Sequence, residues 1–314
     1  MTFSSLLQRI QRGLSTVELV YTPHPRWPLP PRPSTSPTVQ ISVLDSSFNP
    51  PTLAHIALAN TLPPPPQDAP PTQAPHDFDA RLLLLSVRNA DKLLKPGDAT
   101  YEQRMEMMVL LAQELAHPRA RNIPSAHPAP SQPIAREPNV AVAIIDEPTF
   151  VGKSAVLLDF LRRRISDFHQ SPGVILPSPS DTLPSPKLTF LMGTDTIVRL
   201  FAHRYYPTEH AMATSLRRFF SPDENDSCVI CVRRTSNGFS KAAEEQAVIH
   251  IPEFIKGIPP TDRILFVDIG DEERTFSSSQ VRDKLASREE SWRSMVSPMI
   301  ANYITKHGLY SFPS

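Results

Sequence analysis

Cysteine is scarce: Cys228 and Cys231 are the only two in 314 residues. Two cannot build the disulfide framework of a small secreted domain. Both sit in SCVICVRR, a β-like run in which residues three apart face opposite sides, so they read as strand cysteines and not as a metal or redox pair. No stretch of about 18 apolar residues occurs, which excludes a transmembrane helix. Excess charge is missing too. The 32 basic and 32 acidic residues cancel, so broad electrostatic capture of nucleic acid or an anionic membrane is not expected. A Gly-rich phosphate loop is also absent. VGKS at 151–154 would need a glycine five positions before Gly152, and Glu147 stands there, so a P-loop is excluded.

Against 9 glycines stand 36 prolines, most of them clustered. The blocks 22–37, 62–75, 117–138 and 171–187 cannot run as helix or central strand and read as extended loops. The N-terminus, MTFSSLLQRIQRGLS, carries Arg9 and Arg12 and no acid before Glu18, a pattern to weigh as a mitochondrial presequence. It runs straight into VELVY and lacks a secretory apolar core, so a docked helix followed by a strand is the reading adopted. The expected location is cytoplasmic, nuclear or both. Residues 1–38 read as an N-terminal extension and 39–314 as a single domain, with proline-rich insertions near 62–75, 117–138 and 171–187.

Between the proline blocks, strand and helix patterns alternate about six times. VQISVLD, a strand in FDARLLLLSV, NVAVAIID, LTFLMGTD, SCVICVRR and RILFVDIG are apolar runs. Each is followed by a helical pattern: TLAHIALANTL, ATYEQRMEMMVLLAQELA, KSAVLLDFLRRRI, TIVRLFAHRYY, KAAEEQAVIH and SSSQVRDKLAS. A last helix, SMVSPMIANYITKHGLY, stops at Gly308. Near-continuous apolar strands are buried on both faces. The fold class is therefore α/β: a Rossmann-like, doubly wound parallel sheet of about six strands. Arg162, Arg163 and Arg164 read as a solvated helix end.

In such sheets ligands bind at the carboxyl ends of the strands, near the switch in strand order. The loop Asp45-Ser46-Ser47-Phe48-Asn49-Pro50-Pro51 leads from the first of these strands into a helix starting near Thr52. Thr52 and His55 share a face there, where unpaired amides favour an anion. A second such place is FSSSQVR. Ser277, Ser278 and Ser279 would cap a helix, and Arg282 one turn on offers a planar fork of donors to phosphate. Two helix starts of this kind suggest a polyphosphate held between them.

These stretches carry a resemblance. SSFNPPTLAH resembles the pattern G-[ST]-F-[ND]-P-x-[HT]-x-G-H of the nucleotidyltransferase superfamily, and FSSSQVR its second signature, I-S-S-T-x-[IV]-R. KLTFLMGTD, ADKLLKPGDATYEQRMEMM, IIDEPTFVGKSAVLLDFL and VSPMIANYITKHGLY resemble, in order, further segments of the nicotinamide/nicotinate mononucleotide adenylyltransferases. The likeness spans roughly residues 40–311 and is nearest to the fungal branch. Departures are Ser46 and Ala54 where the family has glycines, Ser279 for a threonine, and Phe150 where a tryptophan is common.

The resemblance implies adenylyl transfer, with ATP and nicotinamide (or nicotinate) mononucleotide giving NAD and pyrophosphate by direct in-line attack. His55, Thr52, Arg282 and Lys92 (or Lys95) would handle the phosphates. Ser46, Ser47, Phe48, Asn49, Gly193, Asp195, Ser278 and Ser279 would bind nucleotide. Mg²⁺ would arrive with ATP, and no protein metal cage is expected. Two alternatives stay open: another phosphorylated acceptor on the same fold, or a nucleotide-binding regulatory protein without turnover.

Overall fold

The computed structural model describes residues 1–31, 36–62, 77–88, 96–116, 139–170, 183–233 and 263–310. The blocks at 62–75, 117–138 and 171–187 fall mostly outside these residues, as do Lys92, Lys95 and the helix expected at KAAEEQAVIH. The elements in chain order are α1 (Phe3–Gln11), β1 (Val17–Tyr21), β2 (Thr38–Asp45), α2 (Leu53–Ala59), β3 (Ala80–Ser86), α3 (Tyr101–Ala116), β4 (Val140–Ile145) and α4 (Phe150–Gln170). Then come β5 (Ser185–Gly193), α5 (Thr194–Leu200), α6 (Glu209–Phe220), β6 (Cys228–Arg233), β7 (Ile264–Asp268), α7 (Ser278–Ala286) and α8 (Pro298–His307).

The sheet has seven strands in the order β1-β4-β3-β2-β5-β6-β7. Six are parallel, with the doubly wound order expected of this class. The seventh, β1, is the VELVY segment, which joins the edge antiparallel to β4. Strand order reverses between β2 and β5, where Leu44 lies beside Leu191. That places the loops after β2 and β5 at the switch point.

Alternation along the strands sorts the core into two layers. Val39, Ile41 and Val43 face α4 and α6, with Leu157, Leu161, Phe190 and Phe219. Leu44, Leu83 and Ile144 face α1 and α3, with Ile10, Met105 and Leu111. A third cluster lies beyond α3, where Met107 meets Val281, Trp292, Ile300 and Ile304. Because α3 is covered by the sheet on one side and by α7 and α8 on the other, it is apolar around most of its circumference, as its methionine-rich sequence requires. Helix α8 ends at Gly308, whose φ of 58° supplies the left-handed cap. α6 is an amphipathic helix that the sequence pattern did not single out.

Proline-rich residues 22–31 are tied to the domain by polar clasps. The Asn139 amide donates to the carbonyls of Pro28, Leu29 and Asp79. Arg164 donates to the carbonyls of Trp27 (2.6 Å) and Pro25 (2.9 Å). Arg164 is therefore a mid-helix anchor, in contrast to the solvated end expected; Arg163 remains outside and pairs with Asp159. Neither cysteine is part of a disulfide; Cys231 is fully inside and Cys228 partly so. No helix among the described residues is long and apolar enough to cross a membrane.

Phe190 is completely buried between Phe150 (edge-on, ring centroids 6.0 Å apart) and Phe219 (5.5 Å). Phe190→Ala is expected to lower stability by about 3–5 kcal/mol, the usual cost of an aromatic-sized cavity. Denaturant unfolding of both proteins checks this, and a loss under 1 kcal/mol would show that the layer collapses to fill the space.

Candidate functional site

The site is built where β2 ends. Ser46 and Ser47 lead out of the strand, with the Ser46 amide still donating to the Leu84 carbonyl at 3.2 Å. The chain then turns sharply. Phe48 has a φ of 45°, unusual for a bulky residue, and its buried ring lies 5.2 Å from the His55 ring. A left-handed Phe costs on the order of 1–2 kcal/mol, so this turn is held by its packing.

Thr52 is the N-cap of α2 and is 1% exposed. Its amide donates to His55 Nδ1 at 3.0 Å, and its hydroxyl lies 2.9 Å from the same nitrogen. A backbone N–H can only donate, so Nδ1 must accept and the ring proton of the neutral imidazole sits on Nε2. Nε2 lies 2.9 Å from the Ser46 hydroxyl. Thr52 thus stands behind the imidazole and fixes its tautomer. The N–H of His55 is turned toward the loop after β2. Ala54 is 2% exposed, so the methyl that replaces the family's glycine packs inward.

The second motif arrives at the same loop. Ser277 caps α7 in a capping box: its hydroxyl accepts from the Gln280 amide, and the Gln280 side chain accepts from the Ser277 amide. Ser278 donates to the Pro50 carbonyl at 2.7 Å, across 228 positions of sequence. Arg282 Nη1 donates to the Asn49 carbonyl at 2.6 Å, across 233 positions. Its Nη2 lies 3.4 Å from the Ser279 hydroxyl and its Nε 3.7 Å from Asp98. His55, Thr52, Ser46, Phe48, Asn49, Ser278, Ser279 and Arg282 are therefore brought together around one loop.

Beneath them runs a polar network that motif reading did not find. The Asn49 side chain donates to Asp98 Oδ1 (2.7 Å), and its Oδ1 accepts from the Ala99 amide and the Tyr310 hydroxyl (2.9 Å). Asp98 also faces Arg104, 3.6 Å away. Burial pushes the Tyr310 phenol up, with Asp98 adding to the effect and Arg104 and Arg282 opposing it, so Tyr310 stays a neutral donor. Burial lowers Arg104, and Asp98 counters that. A signal for Asp98 was present in the sequence: Thr100 and Gln103 form the capping box of α3, which fixes the residues just before it.

Gly193 is the N-cap of α5 and the end of β5, across the switch point from the β2 loop, and Asp195 is the second residue of α5. Phe150 starts α4 and packs edge-on against Phe190 in the core layer. Among the described residues no group of three or more His, Cys, Asp or Glu is arranged to hold a metal ion.

No family model matches the chain. A curated protein of Schizosaccharomyces pombe (strain 972 / ATCC 24843), named "Putative nicotinamide mononucleotide adenylyltransferase", is 27% identical over 269 residues, 84% of this chain and 83% of its own. Two solved structures align with it at 14% identity and a TM-score of 0.43, each over 86% of this chain. Both are Plasmodium falciparum nicotinic acid mononucleotide adenylyltransferase, one complexed with APC and covered over 96%, the other with NaAD and covered over 97%. At that TM-score they add nothing to the fold seen directly in the chain. The two signatures lie in the expected order on a doubly wound sheet, and over most of its length the chain is similar to a protein named as a nicotinamide mononucleotide adenylyltransferase.

Proposed function

We propose that the chain joins ATP and a pyridine mononucleotide, nicotinamide or nicotinate, to form the dinucleotide and pyrophosphate. The observation that carries this reading is the convergence of the loop after β2 with the start of α7, through Ser278 on Pro50 and Arg282 on Asn49. A triphosphate laid along this seam would meet an imidazole N–H from one side and a guanidinium from the other.

The attacking group is a phosphate, already an anion at neutral pH, so no protein nucleophile or strong general base is required. What the protein must supply is alignment and charge stabilisation as the bond to pyrophosphate lengthens. His55 Nε2–H would exchange its contact with Ser46 for a phosphate oxygen, held at the right angle by Thr52 from behind. Arg282 would keep one arm on the Asn49 carbonyl and turn the other donors to the leaving group. Lys92 remains the proposed second cation on the leaving group, with Lys95 as its rival. Gly193 and Asp195 are proposed to take the ribose side, and Ser47 and Phe48 to offer backbone contacts. Mg²⁺ is proposed to be held largely by ATP oxygens and water, where it would neutralise phosphate charge.

The deciding experiment is incubation of purified protein with ATP, Mg²⁺ and each mononucleotide, reading dinucleotide and pyrophosphate. Stoichiometric formation of both is expected. ATP binding with no pyrophosphate released would instead support the non-catalytic nucleotide-binding reading. His55→Ala is expected to lower turnover by ~10²–10³ with the fold retained, the usual loss for one charge-stabilising donor. Turnover within a few-fold of the parent would remove the assigned role.

Asp98 acts through others. Its loss takes away the carboxylate opposite Arg104, whose side chain is 8% exposed. Asp98→Ala is therefore expected to cost about 3–5 kcal/mol of stability, as buried charges stripped of a partner do. Urea unfolding measures it, and a cost near zero would show that the guanidinium finds water.

A further inference from the structure

Lys153, in the VGKS sequence that fails as a P-loop, has no part in the mechanism above. It lies in the first turn of α4 and donates to Asp45 Oδ2 at 2.5 Å. Asp45 is the last residue of β2. By strand alternation it shares the α4-facing side with Ile41 and Val43, while Leu44 faces the other layer. Both side chains are nearly enclosed, Lys153 at 5% and Asp45 at 9% exposure. The ammonium also lies 5.0 Å from the centre of the Phe150 ring.

An enclosed ion pair is a poor device for stability alone, since an apolar pair of the same volume serves as well or better. Its hydrogen-bonding capacity is also unspent. An ammonium has three N–H donors, and one is used on Asp45; the other carboxylate oxygen, Oδ1, receives no donor from the described residues. The pair therefore presents a donor and an acceptor side by side at the carboxyl end of β2, at the switch point.

Its position relative to the phosphate groups is specific. His55 and Arg282 approach the β2 loop from α2 and α7, on the α3 side of the sheet; Asp45 and Lys153 lie on the α4 side. In-line displacement requires the attacking phosphate to arrive opposite the departing pyrophosphate. With the leaving group held by Arg282, the acceptor would enter from the α4 side, with its pyridine ring toward the ion pair.

Resting on the adenylyltransferase reading, we infer that Asp45 and Lys153 form a carboxamide-reading pair that makes the chain select nicotinamide over nicotinate mononucleotide. A carboxamide is itself a donor and an acceptor side by side. Its oxygen accepts from Lys153 Nζ, and its NH₂ donates to Asp45 Oδ1. A carboxylate has no donor for Asp45 and sets a second negative charge against it. Matching such a pair favours one analogue, and the like-charge clash rejects the other.

The test is kcat/KM for both mononucleotides with the full chain, at fixed ATP and Mg²⁺. The parent is expected to favour nicotinamide mononucleotide by ~10-fold or more. Asp45→Asn removes the repelling charge, and the ratio is expected to fall by about 10-fold. The neutral double variant Asp45→Asn/Lys153→Met, which leaves no uncompensated charge to unfold the site, is expected to lose the preference as well, with circular dichroism confirming the fold. A parent that turns over both substrates equally, or prefers nicotinate, overturns the pair's role and leaves adenylyl transfer standing. So does a ratio unchanged in both variants. No turnover of either substrate by the parent removes both readings together.

Discussion

One interaction holds the site together: the Arg282 guanidinium donates to the main-chain carbonyl of Asn49. A carbonyl at a sharp turn, behind a residue in the left-handed region, has no ladder partner of its own and must be satisfied from elsewhere. Here the donor comes from a helix at the far end of the chain. Ser278 does the same for the next carbonyl, that of Pro50. The loop after β2 is thus shaped by α7 and is not a free-standing element. Without α7 docked, neither half has the form in which it could hold a ligand.

The remaining polar groups extend that logic inward. Asn49 is satisfied by Asp98, Ala99 and Tyr310, and Asp98 stands between Asn49, Arg104 and Arg282. Three chain segments meet at a single amide side chain. Networks of this kind in low dielectric are rigid when every member is paired. That rigidity matters because the proposed chemistry rests on position more than on reactive side chains. The same economy shows at His55, where the Thr52 amide alone decides which ring nitrogen keeps its proton.

Much of this was legible in the chain. Six apolar strands alternating with helices can close into few arrangements, and the doubly wound order follows from right-handed crossovers. The two signatures pointed to the β2 loop and to α7, and the structure brings them into contact. Other features were not legible for physical reasons. VELVY reads as a strand, but its pairing with β4 depends on contacts more than a hundred residues away. Arg164 sits in a basic run and only the fold reveals that its donors reach Trp27 and Pro25. Lys153 stands in VGKS, which fails as a phosphate loop because Glu147 occupies the place of the first glycine. Its meaning lies in Asp45, which local sequence cannot show. Thr52 was read beside His55 as a phosphate contact, and its burial behind the ring gives it a different duty. Period and motif report which residues share a face, whereas long-range polar pairing is set by tertiary geometry.

The edge strand has a consequence for how the protein is made. β1 is made before the other strands described here, yet among the described residues its only sheet neighbour is β4, with Val17 beside Ile145. At roughly 5–20 residues per second, on the order of ten seconds pass before that neighbour exists. During this interval VELVY lacks its sheet partner. The early chain is thus a sticky ligand waiting for its own receptor, and a nascent-chain chaperone would find its natural client there.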